Sequence, residues 1–449
     1  MIFFLNTLTK NKKKLNIMKQ KNKWITITTV GFALFAMFFG AGNLIIPPFI
    51  GLYTGEDWWL GLLGFFITAI FAPFLGVMMV AVTGNTFTDL GKKLPPVLIN
   101  SLALLIILCI GPIIAIPRTG ATTYEVGFKP FFLEMNSLVF SVVFFALVFV
   151  LSISKTKIVD VIGKVLTPFL LLALVLLILM GVMSPVKEPL IEGESLMESF
   201  KLGFTEGYQT LDVLASVIFA GLIISGVINS GYTTEHEKTN ITIWAGVVST
   251  VALLFVYGGL IYLGAMTDYQ TEGEVARSEL LLYISKSVLG HNGTFVISVA
   301  ISLACLTTAI ALTSATGAFF ENISKGRISY RIAVAVCSIV SLILSVNSVE
   351  EIINYAADIL IFIYPVTFTL LLLILVFGRK VDYKLPYVLG MLMTALLSLI
   401  SVFENMKWDF ERLYHLKKSI PLSSYNLEWL LPSVIAFWVG YIISKISQK

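Results

Sequence analysis

The chain of 449 residues is 57% hydrophobic and only 13% charged, whereas soluble domains are about 25% charged. Apolar stretches long enough to cross a bilayer, about 20 residues each, follow one another along the chain. This pattern excludes a soluble enzyme, a disordered scaffold and a β-barrel, whose strands alternate in polarity over about ten residues. The composition therefore predicts an all-α integral membrane protein. The net charge of +4 is spread over many loops, so no nucleic-acid partner is predicted.

Twelve apolar segments, bounded by charged residues, Gly, Pro or Asn, are predicted to be transmembrane helices. Lys and Arg are almost absent from their interiors, as expected for helices that lie in lipid. In chain order the segments cover residues 24–50, 57–83, 97–117, 137–154, 159–183, 203–230, 241–265, 293–320, 329–346, 353–377, 385–403 and 428–445.

The distribution of positive charge predicts the orientation of these helices. With the N-terminus inside, 21 of the 31 Lys and Arg residues fall in the inner segments and 10 in the outer segments. Because cytoplasmic loops carry the excess of Lys and Arg, this bias predicts that both termini are cytoplasmic. The weakest points are the inner loop at Lys238, with one positive charge, and the outer loop 404–427, with four.

Two of the twelve segments contain residues that disfavour a regular helix. The first is interrupted at mid-depth by the sequence GAGN at 40–43 and then meets two prolines. The sixth is about thirty residues long, with Asp212 near its middle. Irregular backbone at this depth persists only where it is buried in protein or lines a wet cavity. Interrupted helices at positions 1 and 6 are typical of inverted-repeat secondary transporters, whose binding site lies at the membrane midplane.

Four motifs in the same order resemble those of a known family. They are FFGAGNLIIPP at 38–48, GPIIAIPRTGATTYEVGF at 111–128, GFTEGYQTLDVLASVIFAG at 203–221 and ACLTTAIALTSATGAFFE at 304–321. Together they look like the bacterial branched-chain amino acid carriers of the BrnQ type, and the resemblance covers nearly the whole chain from Lys23 onward. That family belongs to the amino acid–polyamine–cation superfamily.

The resemblance implies a fold, a domain organisation and a function. The fold is the LeuT type, with five plus five inverted helices and two more appended. The function is import of leucine, isoleucine and valine with sodium across the bacterial plasma membrane, with no obligatory protein partner evident and no cofactor apart from Na⁺ as coupling ion. The implied units are a cytoplasmic N-terminal segment (1–23), a first repeat (24–183), a second repeat (184–377) and two additional helices with a cytoplasmic C-terminus (385–449).

The first broken helix supplies one half of the predicted substrate site. Its outer half offers free N–H groups to a carboxylate, and its inner half offers carbonyl groups to an ammonium. Gly40, Ala41 and Gly42 let a ligand approach the backbone, and Asn43 adds a side-chain amide. The alternative is that these glycines only permit close helix packing.

The sixth segment is predicted to supply the other half of the substrate site. Its break lies either at Thr210 to Asp212 or nearer Ser216 to Gly221. Asp212 is expected to face the interior, either as a ligand contact or as a structural hydrogen-bond partner. Phe219 is a candidate for the apolar subsite, although plain packing is the commoner role of such a residue.

The eighth segment carries two adjacent threonines, whose hard oxygen donors suit Na⁺ better than a transition metal. The resemblance assigns the two hydroxyl ligands to Thr307 and Thr308. It assigns carbonyl ligands to Ala304, Ala36 and Phe39. The alternative is that these threonines bond carbonyls of their own helix.

Three further polar residues are given other roles. Arg118 and Glu125, which flank the third segment, are expected to form an ion pair or gate at the outer rim. Asp358 is an intramembrane carboxylate, for which a private hydrogen bond and a proton-linked role both stay open.

Other classes of function find little support in the sequence. The three histidines lie in separate loops, and no nucleotide-binding GxxxxGK[ST] loop or TVGYG-like channel filter is present. The alternative function is transport of another neutral amino acid or a nucleobase, with proton coupling in place of sodium.

Overall fold

The computed structural model describes residues 22–40, 42–84, 93–153, 158–183, 195–270, 275–378 and 380–447. All regular structure in these residues is helical, and short 3₁₀ or π turns join several α-helices. The α-helices are α1 (Lys23–Phe38), α2 (Gly42–Thr54), α3 (Trp58–Phe65), α4 (Ala72–Thr83), α5 (Pro96–Leu108), α6 (Ala115–Thr122), α7 (Ser137–Ile153), α8 (Ile158–Met183), α9 (Leu196–Glu206), α10 (Asp212–Asn229), α11 (Glu235–Ala265), α12 (Arg277–Ile323), α13 (Tyr330–Ser345), α14 (Val349–Phe377), α15 (Lys384–Asn405), α16 (Glu411–Lys418) and α17 (Leu430–Ile446).

Every one of the twelve predicted segments overlaps helical structure in the described residues. Seven helical stretches are long and apolar enough to cross a membrane, and five shorter apolar helices accompany them. The all-α integral membrane architecture is therefore confirmed. The count of twelve crossings, the five-plus-five repeat and the proposed domain limits stay predictions.

The third segment extends further than its sequence indicates. It was expected to end at residue 117, but π turns and α6 continue it to Phe128. Gly111, with φ −96° and ψ −122°, interrupts the helix where Pro112 removes a backbone donor. The chain then resumes a helix at Ala115. Consequently, Arg118 lies within the bundle and not at its rim.

The bundle is organised around α11, which packs along both α1 and α2. The helices α4 and α10 pack on each other, and α12 runs beside α2, α6 and α8. At the periphery, α15 packs between α14 and α17. The two halves of the first segment therefore lie in the centre of the molecule, where their break is surrounded by protein.

Contacts between loops agree with the predicted sidedness. The Lys93 ammonium lies 2.7 Å from Asp382 Oδ1, and this hydrogen bond and positive charge lower the pKa of Asp382. Both residues belong to segments predicted to be on the inner side. At the opposite end of the bundle, Ser278 and the Val349 N–H donate to Glu125 at 2.6 and 2.9 Å.

Glycine permits very close contact between α2 and α11. A Cβ built on Gly264 would lie 2.7 Å from the Pro48 carbonyl carbon, and one on Gly51 would lie 2.7 Å from the Ala265 nitrogen. Because backbone atoms fill both positions, a methyl group cannot be accommodated by rotation of a side chain. Gly226, in contrast, has no atom within 4 Å of its Cβ position.

We therefore expect Gly264→Ala to destabilise the folded protein by about 1–3 kcal/mol, because two helices have to separate. Gly226→Ala is the matched control and should leave stability unchanged or slightly raised, since alanine favours helix. Thermal unfolding of both variants in detergent measures the difference. Equal melting temperatures would show that the α2–α11 contact is not tight.

Candidate substrate and sodium site

The first helix break frees backbone groups in the centre of the bundle. The α1 helix ends at Phe38, and α2 begins at Gly42. The Gly40 N–H donates to the Phe38 carbonyl at 2.9 Å in place of the Ala36 carbonyl, its regular helical partner. Unwinding at Gly40 thus releases the carbonyl of a predicted sodium ligand from the helical hydrogen-bond ladder.

The second helix break lies at the first of the two predicted positions. A 3₁₀ turn over Gly207–Thr210 leads to Leu211, whose φ of 64° and ψ of 7° are left-handed. The α10 helix then begins at Asp212. A left-handed leucine is strained, because its Cβ crowds the backbone in this conformation. The surrounding structure holds this strain at the break.

A buried hydrogen bond joins the two breaks. Asn43 Nδ2 donates to Asp212 Oδ2 at 2.6 Å, and the same amide also donates to the Tyr257 hydroxyl. Asn43 is 1% exposed and Asp212 is 3% exposed. Asn43 lies in the first turn of α2, Asp212 begins α10 and Tyr257 lies within α11. Their bonds therefore fix the two helix N-termini against one central helix.

Between the breaks lies a small cavity of about 30 Å³. Six of the predicted substrate residues line it together: Gly40, Gly42, Asn43, Thr210, Asp212 and Phe219. Ser216 does not, because its hydroxyl donates to the Val213 carbonyl and its side chain packs against Gly76. Ala41 lies outside the described residues. Apolar side chains, among them Ile110 and Leu312, form much of the remaining wall.

Arg118 also lines this cavity, which contradicts its predicted place at the outer rim. The side chain is 2% exposed, and a Cβ on Gly42 would lie 2.6 Å from Arg118 Nη2. Its Nε and Nη1 atoms are buried and have no hydrogen-bond partner among the described residues. Glu125, its expected partner, instead bonds to Ser278 and Val349.

Arg118 and Asp212 bring charged side chains into the site, beside the backbone groups of the first break. The lining contains one side chain of each charge. A signal for Arg118 is present in the sequence: it directly follows an uncharged, largely apolar stretch, and the next charged residue is Glu125. An intramembrane charge is by default a candidate functional residue.

One of the residues predicted to bind sodium, Thr308, lies at the cavity. Thr308 lines it, and its Oγ1 lies 3.9 Å from the Cβ position of Gly40. Thr307 donates to the Ala304 carbonyl at 2.8 Å, so a bond within its own helix is present. Phe39 is buried and stacks on Phe35, with ring centroids 5.1 Å apart. The sodium-binding role of the five predicted positions, Ala36, Phe39, Ala304, Thr307 and Thr308, stays a prediction.

Comparison with known proteins identifies the family. The profile of the family described as "Branched-chain amino acid transport protein" matches residues 23–447. The branched-chain amino acid permease BraB of Bacillus subtilis is 33% identical over 423 residues, which cover 92% of this chain and 94% of the permease. This chain belongs to the branched-chain amino acid transport protein family. It is a multi-pass membrane transporter and not an enzyme.

Solved structures with low sequence identity share the transporter's fold. MhsT in complex with L-phenylalanine aligns with a TM-score of 0.54 at 15% identity, covering 92% of this chain and 98% of MhsT. The nucleobase-cation-symport transporter Mhp1, in a closed conformation with bromovinylhydantoin bound, aligns with a TM-score of 0.59 at 13% identity and covers 93% of each chain. These likenesses support the LeuT-type fold expected from the sequence.

The end of the bundle that is predicted to face outward carries a network of charged residues. Arg277, at the start of α12, contacts Glu206 at 2.9 Å and also pairs with Glu350 at the start of α14. Its guanidinium lies 3.8 Å from the centroid of the Phe49 ring. The network therefore links α2, α9, α12 and α14.

Asp358, for which two roles stay open, accepts a hydrogen bond from Asn405 at 2.6 Å.

We expect Asn43→Ala to lower the free energy of unfolding by about 1–3 kcal/mol, because the Asp212 carboxylate loses a buried donor. The matched control is Asn405→Ala, which removes an amide–carboxylate bond of equal length at an exposed position. The control should change stability by less than about 0.5 kcal/mol. Thermal unfolding in detergent checks both variants, and equal effects would contradict a special role for the Asn43 bond.

Proposed function

We propose that this transporter imports leucine, isoleucine and valine by sodium symport with alternating access. The observation that carries the proposal is the cavity where two helix breaks meet. It presents two helix N-termini, one cationic and one anionic side chain, and an apolar wall. A zwitterion with an aliphatic side chain needs all of these features, since its charges cannot be left unpaired in a low-dielectric site.

The apolar wall is suited to a branched aliphatic side chain. Phe219 of α10, Ile110 of the third segment and Leu312 of α12 approach the cavity from three different directions. They supply hydrocarbon to the same cavity that the backbone of the first break lines. The family and the permease that it resembles both point to branched-chain amino acids as the substrates.

Sodium is proposed to bind between the first and eighth segments. The Thr307 and Thr308 hydroxyls and the carbonyls of Ala304, Ala36 and Phe39 form the ligand set. Two observations support it: Thr308 lies against Gly40, and the Ala36 carbonyl is released from its regular partner at the break. Oxygen donors of this kind suit a hard cation.

The proposed architecture has twelve transmembrane helices, with a five-plus-five inverted repeat, two appended helices and both termini in the cytoplasm. The sequence-based count of Lys and Arg includes Arg118 among the outer residues, although the structure places it inside the bundle. Without it, 21 Lys and Arg residues lie in the inner segments and 9 in the outer ones. This sharper bias supports the cytoplasmic placement of the termini.

Substrate entry requires part of the structure to move. The cavity, at about 30 Å³, has room for about two or three water molecules, since one needs about 10–15 Å³ by this measure. A leucine therefore enters only when the lining separates. The Arg277 network joins α9, α12 and α14 on the outer side, and it is the contact that outward opening has to break.

Labelled leucine uptake into proteoliposomes tests the proposed function. Imposed Na⁺ gradients should drive uptake, and unlabelled isoleucine and valine should compete. Uptake driven by a proton gradient and indifferent to Na⁺ would contradict sodium coupling. Competition by nucleobases or other neutral amino acids, without competition by isoleucine or valine, would contradict the substrate class.

We expect Thr308→Ala to raise the Na⁺ concentration for half-maximal uptake about tenfold, because one charge-assisted oxygen contact is lost. Thr294→Ala is the matched control. Thr294 lies on the same helix and donates to the Gly290 carbonyl at 3.0 Å, about 21 Å along α12 from Thr308. Its Na⁺ requirement should not change. If both variants keep the wild-type requirement, Thr308 has only a packing role.

A further inference from the structure

We propose that Arg118 binds the α-carboxylate of the substrate and thereby makes a free carboxylate a requirement for transport. This inference rests on the proposed function, because it assigns the polar end of the same substrate site. It concerns a residue that sequence motifs place at the outer rim and that the structure places in the cavity.

The first argument is the unsatisfied chemistry of the guanidinium. Arg118 is 2% exposed, and its Nε and Nη1 atoms have no hydrogen-bond partner among the described residues. Nor does any ion pair between described residues include it. Removing a charge from water without a partner is costly, and a buried cation of this kind requires an anion.

The second argument is the position of the guanidinium. Its Cζ atom lies 2.8 Å from the Cβ position of Gly42, the first residue of α2. The N-terminus of this 13-residue helix adds partial positive charge to that of the guanidinium at one place. Because Gly42 has no side chain, the Arg118 guanidinium can approach the backbone at the start of α2. An anion in the cavity therefore meets two sources of positive potential together.

The third argument is the match between a guanidinium and a carboxylate. The planar fork of arginine donates two parallel hydrogen bonds to the two oxygens of a carboxylate, a geometry that lysine lacks. Asp212 is not this partner in the structure, because its Oδ2 atom accepts from Asn43 and the Nε and Nη1 atoms of Arg118 have no partner among the described residues. Asp212 is free to face the ammonium, so each substrate charge meets an opposite charge.

The test compares ligands that differ only at one polar group. Leucine, leucinamide, which lacks the carboxylate charge, and 4-methylpentanoate, which lacks the ammonium, are added to the purified full-length protein in Na⁺. Ligand-induced thermal stabilisation gives the affinities. The wild type should prefer leucine over leucinamide by about 10- to 100-fold, the range for a hydrogen-bonded charge pair.

In Arg118→Gln, leucine affinity should fall by about the same factor, whereas leucinamide affinity should change less than about threefold. A guanidinium that acts only as a structural counter-charge to Asp212 would instead weaken both ligands equally. That result would overturn the proposal. Arg118→Lys, which keeps the charge without the fork, should recover only part of the preference for leucine.

Two further measurements keep the proposal testable if Arg118→Gln does not fold. Gly42→Ala displaces the guanidinium but retains it, and should reduce the preference for leucine over leucinamide. Its control, Gly226→Ala, should keep the wild-type preference. Wild-type protein alone also decides the matter, because equal affinity for leucine and leucinamide overturns the proposal.

Failure of the proposed function has a different signature. If leucine, isoleucine and valine neither stabilise the wild type nor enter proteoliposomes, the proposed substrates are wrong. Other α-amino acids and their amides are then compared in the same way. A preference for the acid that is lost in Arg118→Gln supports the carboxylate site, and binding of no α-amino acid overturns both proposals.

Discussion

The hydrogen bond from Asn43 to Asp212 is the interaction on which the central site depends. A helix break in a membrane protein exposes N–H and carbonyl groups that lipid cannot satisfy. Here the bond ties the first turns of α2 and α10 to each other, and Tyr257 ties them to α11. Two breaks that would each be costly alone thus face one another across a shared cavity, where their free groups become available to a ligand.

The positions of the breaks were only partly predictable from sequence. At the first break, the sequence GAGN in an apolar stretch is a strong local signal, because glycine and asparagine disfavour a helix there. At the second, the chain turns at Leu211, with φ of 64°. A leucine is among the residues least expected in the left-handed region. Packing of neighbouring helices imposes that conformation, so no local pattern reveals it.

The same limit explains why Arg118 and Ser216 do not lie where the sequence indicated. An arginine near the end of an apolar run commonly extends toward the interface, so its sequence position indicated a rim residue. Its true neighbour is Gly42, a residue in another helix, and single-sequence patterns do not report such pairs. Ser216 was misplaced for a related reason: α10 is apolar on most of its surface, and its periodicity does not tell which face meets the cavity.

Charge balance in the cavity bears on the choice of coupling ion. With Arg118 and Asp212 both charged, the lining is neutral and a zwitterion leaves it neutral. Protonation of Asp212 would leave the cavity lining with a net positive charge and would remove the group that faces the ammonium. The sodium site proposed beside Thr308 would avoid this conflict, because the ion would add its charge outside the substrate pair. The charge balance of these two side chains therefore supports the proposed sodium coupling.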